Sequence, residues 1–376
     1  MRERLIKLVR GYAYGLYRRC VYPAVYVRSG DSWSRRIAFG LLNYQPRLVK
    51  LHLNYDCNLS CAGCYCRPAG SIISKKEIFS FIDELGSGRM ARPLRLDILG
   101  GEPLLCQYLE DVVAYASRDK KIGPVALYTN ATLCDEKRSL ALKRSGLSIA
   151  IVTFHSHQRE THDMITAVPG SWDKTVAGIR ALVKAGVRTY TFTIVMPANV
   201  DALDQVDSYA RQLGAKSIFH RYMPQRVDDP LCVRDLDTYQ RSVRWMHAQS
   251  IAHRDKVFRL AWWRNKICPA FIGLINIQAD GAVTPCPFVK KIVLGNIRMT
   301  PLHSIMKTAY VHKALEDFLS VPEECVRCVF KSRCSGGCKA SGYEIGCSAV
   351  EKDMYCRGPY TSSSLGVAED CIPYFY

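Results

Sequence analysis

The sequence predicts an α/β fold with six parallel strands, laid out as an open doubly wound sheet or as a partial barrel, and a smaller cysteine-rich region after it. Two observations predict the sheet and a third predicts the cysteine-rich region. Apolar, β-branched runs alternate with helix-period segments between residues 48 and 221. Strand and helix in regular alternation imply parallel pairing through right-handed crossovers. From about residue 262 the periodicity gives way to short irregular segments rich in cysteine, which points to organisation by metal.

The first strand is read at 48–55 (LVKLHLNY), followed by a helix at 74–85. Further strands fall at 94–99 (LRLDIL), 124–129 (PVALYT), 148–154 (SIAIVTF), 188–195 (RTYTFTIV) and 216–221 (KSIFHR), with helices between them at 104–118, 135–145, 172–185 and 201–213. Gly186 and Gly214 stand where helices stop ahead of a strand. In either layout, function gathers at the carboxyl ends of the strands.

A chain of 376 residues has length for two or three domains, and 48% hydrophobic with 10% aromatic residues fills a core, which excludes a disordered chain. The boundaries are read as a basic aromatic extension at 1–45, the strand and helix domain at 46–255, the cysteine-rich domain at 256–360 and a tail at 361–376. At this size the 17 cysteines are not needed as disulfide staples. No uncharged apolar run reaches the length of about 18 residues that a spanning helix needs. The charged first ten residues lack the apolar stretch of a secretory signal. A cytoplasmic protein with reduced thiols is expected.

Lys and Arg number 52 against 34 Asp and Glu, a net charge of +18, and residues 1–50 alone carry eleven against two. Leu5, Leu8, Val9, Tyr12 and Leu16 recur at helical spacing beside Arg4, Lys7, Arg18 and Arg19. That is the pattern of a basic amphipathic helix suited to a peripheral site on an anionic membrane, or to an acidic peptide. An extension packed along the main domain, with its charges in water, accounts for it equally well. No RNA-binding signature accompanies the charge, so nucleic acid is not an expected partner.

Cys57, Cys61 and Cys64 follow the first strand as C-x3-C-x2-C. Three thiolates on one loop can hold three irons of a [4Fe-4S] cube and leave the fourth open for chemistry. Near the other end, Cys325, Cys328, Cys334 and Cys338 form a second ligand set, for which tetrahedral zinc is the competing occupant. Cys20, Cys66, Cys106, Cys134 and Cys371 read as buried small hydrophobes.

These cysteines, with Gly100-Gly101-Glu102-Pro103 after the second strand, resemble a radical S-adenosylmethionine (SAM) enzyme with a C-terminal SPASM domain, over residues 46–360. The resemblance implies a partial (β/α)6 TIM-type barrel carrying a small iron-sulfur domain. It implies that Gly100, Gly101 and Glu102 form the turn that holds the methionyl amino group, the glycines permitting close approach. Thr129-Asn130-Ala131 resembles the family's Thr-Asn-Gly. Thr153 and His155 fall where the family places contacts to the ribose and carboxylate, although His155 can donate hydrogen bonds where an Asp only accepts. Gly63 departs from the pattern by standing where an aromatic precedes the third cysteine, which leaves extra room beside the cluster.

In the SPASM half, the resemblance assigns Cys268, Cys286 and Cys338 to a nearer auxiliary cluster, and Cys325, Cys328, Cys334 and Cys356 to a distal one. A fourth ligand of the nearer cluster is open between Cys347, Cys232 and substrate. The cofactors implied are therefore SAM and three [4Fe-4S] clusters, with a flavodoxin- or ferredoxin-type electron donor as partner. The chemistry implied is reductive cleavage of SAM to a 5'-deoxyadenosyl radical that takes hydrogen from a substrate C–H bond, the auxiliary clusters accepting the remaining electron. The expected substrate is a peptide or protein. Its alternatives are a lipid, prenyl or cofactor-type small molecule at a membrane surface and, from another class, a non-catalytic iron-sulfur or zinc scaffold, against which the GGEP turn argues. Sulfatase maturation is disfavoured, because Pro287 stands where that group has a basic Asp, and a winged-helix leader-binding domain is not expected in the first 45 residues. His155, His157, His220 and Tyr222 are acid/base candidates that spacing does not separate.

Overall fold

A computed structural model describes residues 48–66, 72–87, 95–120, 122–226 and 274–331, with parts of 228–245 and 336–361. The 1–45 extension and the tail from 362 lie outside them, as do Cys20, Cys268, Cys334, Cys347 and Cys371. The chain divides into two compact units, the larger built from Gln45–His253 and Ala270–Lys307, the smaller including Thr308–Tyr376.

In the larger unit β1 (Leu48–His52), β2 (Arg95–Leu99), β3 (Val125–Thr129), β4 (Ile149–Thr153), β5 (Arg188–Val195) and β6 (Lys216–Arg221) are all parallel and lie in sequential order. An order that never reverses excludes the doubly wound layout and gives the partial barrel. The connecting helices are α1 (Lys75–Gly86), α2 (Leu109–Ala114), α3 (Glu136–Ser145), α4 (Arg159–Thr166), α5 (Ser171–Lys184) and α6 (Leu203–Gln212). The sheet face carrying Val49, Leu51, Leu96, Ile98, Val125, Leu127, Ala150 and Val152 is fully buried. The opposite face carries Lys50, His52, Asp97, Tyr128, Thr153, Phe192 and His220 by the strand register, so the apolar face receives the helices and the polar, aromatic face lines the barrel.

Contacts across the mouth demonstrate the curl. In a flat sheet β6 and β1 would stand about 24 Å apart, five strand spacings of ~4.8 Å. Instead Tyr222, directly after β6, lies on Gly63 in the loop that follows β1.

The sequence reading missed two features. Helix α4 is short and polar (RETHDMIT), with too few apolar residues to display a period. Beyond residue 262 the expected irregular segments include β7 (Leu274–Ile277), which pairs parallel with β1, and the antiparallel β8 (Ala282–Thr284) and β9 (Gly295–Asn296) that extend the sheet. Strands of two to four residues leave no readable alternation. The helix expected at 104–118 is broken into a 3-10 turn (Pro103–Leu105), α2 and a π turn (Tyr115–Asp119). Helix α7 (Leu302–Ile305) completes the larger unit, and α8 (Ala309–Leu319) belongs to the smaller.

Candidate active site

The cysteine loop is suspended between two anchors at the carboxyl end of the sheet. On one side it is zipped to the GGE turn: Leu53 N–H donates to Leu99 O at 2.9 Å, Gly101 N–H to Asn54 O at 3.1 Å and Glu102 N–H to Asp56 O at 2.7 Å. Asn54 returns a side-chain bond from Nδ2 to Glu102 O at 2.9 Å. The approach leaves no space for side chains, since a Cβ at Gly101 would sit 2.2 Å from Asp56 O, and one at Gly100 2.2 Å from Asn54 Oδ1. Both glycines are thus demanded by the contact between two loops, whatever else the turn binds. On the other side Ser60 and Ala62 donate their N–H groups to Thr166 O and Ile165 O at 3.1 and 2.8 Å. These are carbonyls at the end of α4, which have no partner inside their own helix.

Cys57, between the anchors, and Cys64, just beyond the second, are exposed, and Cys61 is partly covered. Leu59 N–H points at Cys57 Sγ at 3.4 Å, a bond of the kind that tunes iron-bound sulfur. Burial, aided by Cys64 and Cys57, pushes the Cys61 thiol up to about 12. Iron binding at Cys61 therefore has to displace its proton. Among the described residues no group of His, Cys, Asp and Glu gathers tightly enough for a single metal ion. Three thiols spaced along one loop, with a backbone N–H on sulfur, fit the corners of a [4Fe-4S] cube. Cys66, expected as a buried hydrophobe, is instead half-covered and shares the electrostatic environment of Cys64 and Cys57. Cys106 and Cys134 are buried as expected.

Glu102 is fully buried and turned into the fold. Its carboxylate accepts Leu104 N–H at 3.0 Å, Thr129 Oγ1–H at 2.6 Å and Asn130 N–H at 2.7 Å. Burial raises its pKa, and those three donors oppose the rise. Asn130 continues the chain of contacts, with Nδ2 donating to Asn58 Oδ1 at 2.9 Å and Oδ1 accepting from Thr132 N–H at 2.9 Å. The ends of β2 and β3 are thereby tied to the cysteine loop. Ala131, where the resemblance has Gly, adopts φ 58, so the turn keeps the left-handed backbone at a cost of roughly 1 kcal/mol. Helix α5 seals it: Thr175 Oγ1 donates to Asn130 O at 2.9 Å, and a Cβ at Gly178 would meet Ala131 O at 2.1 Å.

Thr153 is half-buried on the inner face and His155 is buried just beyond it. His155 N–H donates to His162 Nδ1 at 3.2 Å, and its carbonyl accepts Asn199 Nδ2–H at 3.0 Å. Burial, with His162 beside it, lowers His155 to about 3. The ring is neutral at physiological pH, and among the described residues its buried Nδ1 has no hydrogen-bond partner.

The room expected beside Gly63 is filled. A Cβ there would lie 2.4 Å from Tyr222 Oη, 2.5 Å from its Cε2 and 2.7 Å from Leu231 Cδ1. Cys232, one of the open fourth-ligand choices, is buried within the same segment. Nothing in the sequence announced this contact, because it depends on the curl of the sheet.

A hydrogen-bond chain fixes Cys286 relative to β1. His52 Nε2 meets Asn276 Oδ1 at 3.0 Å, Asn276 Nδ2–H donates to Thr284 Oγ1 at 3.0 Å, and Thr284 donates to Cys286 O at 3.1 Å. Rings follow the same course: Tyr65, between Cys64 and Cys66, packs edgewise on Phe288 at 5.0 Å, and Phe288 stacks on His220 at 5.7 Å. Lys290 Nζ donates to Tyr65 O. Deeper on this face Asp97 binds Arg95 Nε at 2.6 Å and Lys50 Nζ at 3.1 Å. Of the acid/base candidates, His220 faces the barrel with Nδ1 2.7 Å from the Arg221 carbonyl. The carbonyl can only accept, so Nδ1 carries the proton and Nε2 is the acceptor in the neutral ring. His157 is half-buried at the mouth.

In the smaller unit, Cys325, Cys328 and Cys356 lie within electrostatic reach of one another. Burial, with Cys356, Glu324 and Cys328 adding to it, pushes the Cys325 thiol up to about 11. Gly358 N–H and Tyr360 N–H point at Cys356 Sγ and Cys328 Sγ at 3.3 and 3.5 Å. Asp353, which the sequence reading passed over, is fully buried and accepts Cys338 N–H at 2.9 Å and Tyr355 N–H at 3.1 Å. It binds the Cys338 segment to the one bearing Cys356.

Comparison with known proteins agrees with this geometry. Residues 52–209 match the Radical SAM superfamily, and residues 268–329 match SPASM, an iron-sulfur cluster-binding domain. An AdoMet-dependent heme synthase of Methanosarcina barkeri is 27% identical over 343 residues, covering 83% of this chain and 96% of the relative. A PqqA peptide cyclase of Gluconobacter oxydans is 24% identical over 332 residues, covering 84% and 92%. The solved structure of anSMEcpe with AdoMet and the Cp18Cys peptide bound has the same fold, with a TM-score of 0.68 at 19% identity over 83% of this chain and 94% of that one. The chain is a radical SAM enzyme with a C-terminal SPASM domain, whose cofactors are S-adenosylmethionine and [4Fe-4S] clusters.

Proposed function

We propose that the chain is a radical SAM oxidoreductase that modifies a peptide or protein by removing hydrogen from an unactivated C–H bond. The observation that carries the reading is the cysteine loop pinned between the GGE turn and the end of α4, which presents three thiols at the mouth of a barrel lined with aromatic and polar groups. When bound, SAM and a reduced [4Fe-4S] cluster supply a 5'-deoxyadenosyl radical. Cys57, Cys61 and Cys64 would hold the cluster. Gly100 and Gly101 with Asn130, Thr153 and His155 would bind and orient the nucleotide, while Glu102 acts from inside the fold by fixing the Asn130 turn. Neutral His155 gives that pocket a hydrogen-bonding group without charge. The inner face, from Tyr65 through Phe288 to Tyr128, excludes water from the reacting carbon.

The division at about residue 256 is kept as a functional one, with residues 46–255 as catalytic barrel and 256–360 as the auxiliary-cluster region. There Cys268, Cys286 and Cys338 would hold one cluster and Cys325, Cys328, Cys334 and Cys356 the other, three clusters in all with that of the cysteine loop. Their role would be to accept the electron left on the substrate, giving a net two-electron oxidation. A flavodoxin- or ferredoxin-type donor would supply the reducing electron in a reducing compartment, and the basic extension at 1–45 would rest on an anionic surface. Among the described residues no helix is long and apolar enough to cross a membrane.

Peptide substrates draw support from the PqqA peptide cyclase relative. A second reading, a carboxylate-bearing cofactor-type small molecule, is favoured by the heme synthase relative. The test is single turnover of reduced, iron-loaded enzyme with a synthetic peptide library and, separately, with a panel of carboxylated tetrapyrroles. Loss of two hydrogens from a library peptide supports the first reading. Conversion of a tetrapyrrole alone replaces it with the second.

A further inference from the structure

We propose that Tyr222 is a positioning residue for SAM cleavage: from the far side of the barrel it wedges against Gly63 and sets the pose of the Cys61 to Cys64 turn. The inference rests on Cys57, Cys61 and Cys64 as the iron ligands and assigns a role to a residue outside the cysteine, GGEP and Thr-Asn-Ala motifs.

The wedge is fixed at its hydroxyl-bearing edge. Tyr222 is 3% exposed, and its hydroxyl donates to Asp229 Oδ2 at 2.9 Å. The same carboxylate accepts Gln225 N–H at 2.9 Å and Leu231 N–H at 3.1 Å, while Cys232 N–H donates to Asp229 O at 3.2 Å. Tyr222, Gln225, Leu231 and Cys232 are therefore gathered around the one buried Asp229, and the phenol has a fixed direction. The same hydroxyl-bearing edge lies against residue 63, so close that a single methyl there would stand 2.4 Å from Oη and 2.5 Å from Cε2. Gly63 also has φ +70, so a side chain is opposed twice, by the left-handed backbone and by the ring.

The contact matters because of its neighbours in sequence. Ala62, before Gly63, is tied to the end of α4, and Cys64, after it, is held by an N–H bond to Cys61 O at 3.2 Å. The α4 anchor fixes the loop up to residue 62, and Tyr222 fixes the next position, from which the third cysteine departs. Displacing the ring shifts Cys64 relative to Cys57 and Cys61, and with it the iron left open for SAM. Catalytic geometry tolerates displacements well under 1 Å. Since Tyr222 follows the last parallel strand and Cys57 the first, the wedge also makes cluster geometry depend on closure of the barrel mouth.

The experiment uses the full-length, anaerobically iron-loaded enzyme with SAM and dithionite, without substrate, and compares the wild type with Tyr222→Ala, Tyr222→Phe, Gly63→Ala and the double variant Gly63→Ala/Tyr222→Phe. The readouts are 5'-deoxyadenosine formation against SAM concentration and the EPR spectrum of the reduced cluster with and without SAM. A wild type that fails to cleave SAM removes the functional reading itself; the variants are compared once cleavage is seen. The expected result for Tyr222→Ala at wild-type iron content is a rise of about tenfold in KM for SAM, within the span of coupling between contacting residues, and an altered SAM-dependent EPR shift. Tyr222→Phe keeps the ring edge at Cε2 but loses Oη and its bond to Asp229, so it falls between wild type and Tyr222→Ala. Gly63→Ala reproduces Tyr222→Ala, and adding Tyr222→Phe to it relieves part of the defect by freeing the ring to yield. The proposal is overturned if Tyr222→Ala, or Gly63→Ala should Tyr222→Ala not fold, shows wild-type KM and EPR at full iron content. It is equally overturned if Tyr222→Phe falls as far as Tyr222→Ala, or if the Gly63→Ala and Tyr222→Phe effects simply multiply.

Discussion

The Glu102 carboxylate accepts the Asn130 backbone N–H at 2.7 Å, joining the ends of β2 and β3 through a side chain that sees no solvent. Thr129 and Leu104 complete its shell of donors. Replacing Glu102 with Ala leaves three buried donors short of an acceptor, at about 1–3 kcal/mol each. The expected outcome is a loss of at least about 3 kcal/mol in urea unfolding with an unchanged m-value. A loss under about 1 kcal/mol would mean that water replaces the carboxylate and that the network is dispensable.

Gly101→Ala puts a methyl against two carbonyl oxygens, Asp56 O at 2.2 Å and Tyr55 O at 2.4 Å. Backbone atoms cannot swing aside as the end of a flexible side chain does, so the GGE turn must separate from the cysteine loop. SAM cleavage is expected to fall by about a hundredfold or more, as displacements of the order of 1 Å do at reacting centres. Calorimetric SAM binding and 5'-deoxyadenosine yield check this together; an alanine enzyme with ordinary turnover would show that the turn yields freely.

Three buried histidines make the fold acid-sensitive. Burial holds His52 and His155 down to about 3 and His162 to about 4. The ordinary value is about 6.5, so below it the unfolded chain takes up protons that the native state refuses until pH falls to about 3–4. Their contribution is complete above pH 6.5 and drains away as the pH falls, at up to roughly 1.4 kcal/mol per pH unit for each group. Thermal melts at about pH 7 and about pH 5.5 are expected to show a clear drop, with a smaller one in His52→Asn. Equal slopes for wild type and variant would place the acid sensitivity elsewhere.

Asp353 spans Cys338 and Tyr355. Asp353→Ala is expected to lower the iron retained after reconstitution by about four atoms per chain, one cube's content, while SAM cleavage at the barrel persists. Iron retained in full would show that the cysteines find their places without it.

The β1 to β6 series was legible because buried parallel strands and amphipathic helices write their periods into the residues. The cysteine loop and GGE turn were legible as motifs, yet the inward role of Glu102 was not, since the letters do not say which way a carboxylate turns. Helix α4 escaped notice because RETHDMIT is almost wholly polar; its value lies in two terminal carbonyls that hold Ser60 and Ala62. Tyr222 on Gly63 is a contact about 160 residues apart in sequence, invisible until the sheet is curled.

The most direct test of the account is the yield of 5'-deoxyadenosine from SAM after anaerobic iron loading and reduction. Wild-type enzyme should form it together with methionine in equal amounts, and Cys61→Ala should form none. Absence of the nucleoside with fully loaded wild-type enzyme, or equal yields from the Cys61→Ala variant, would contradict it.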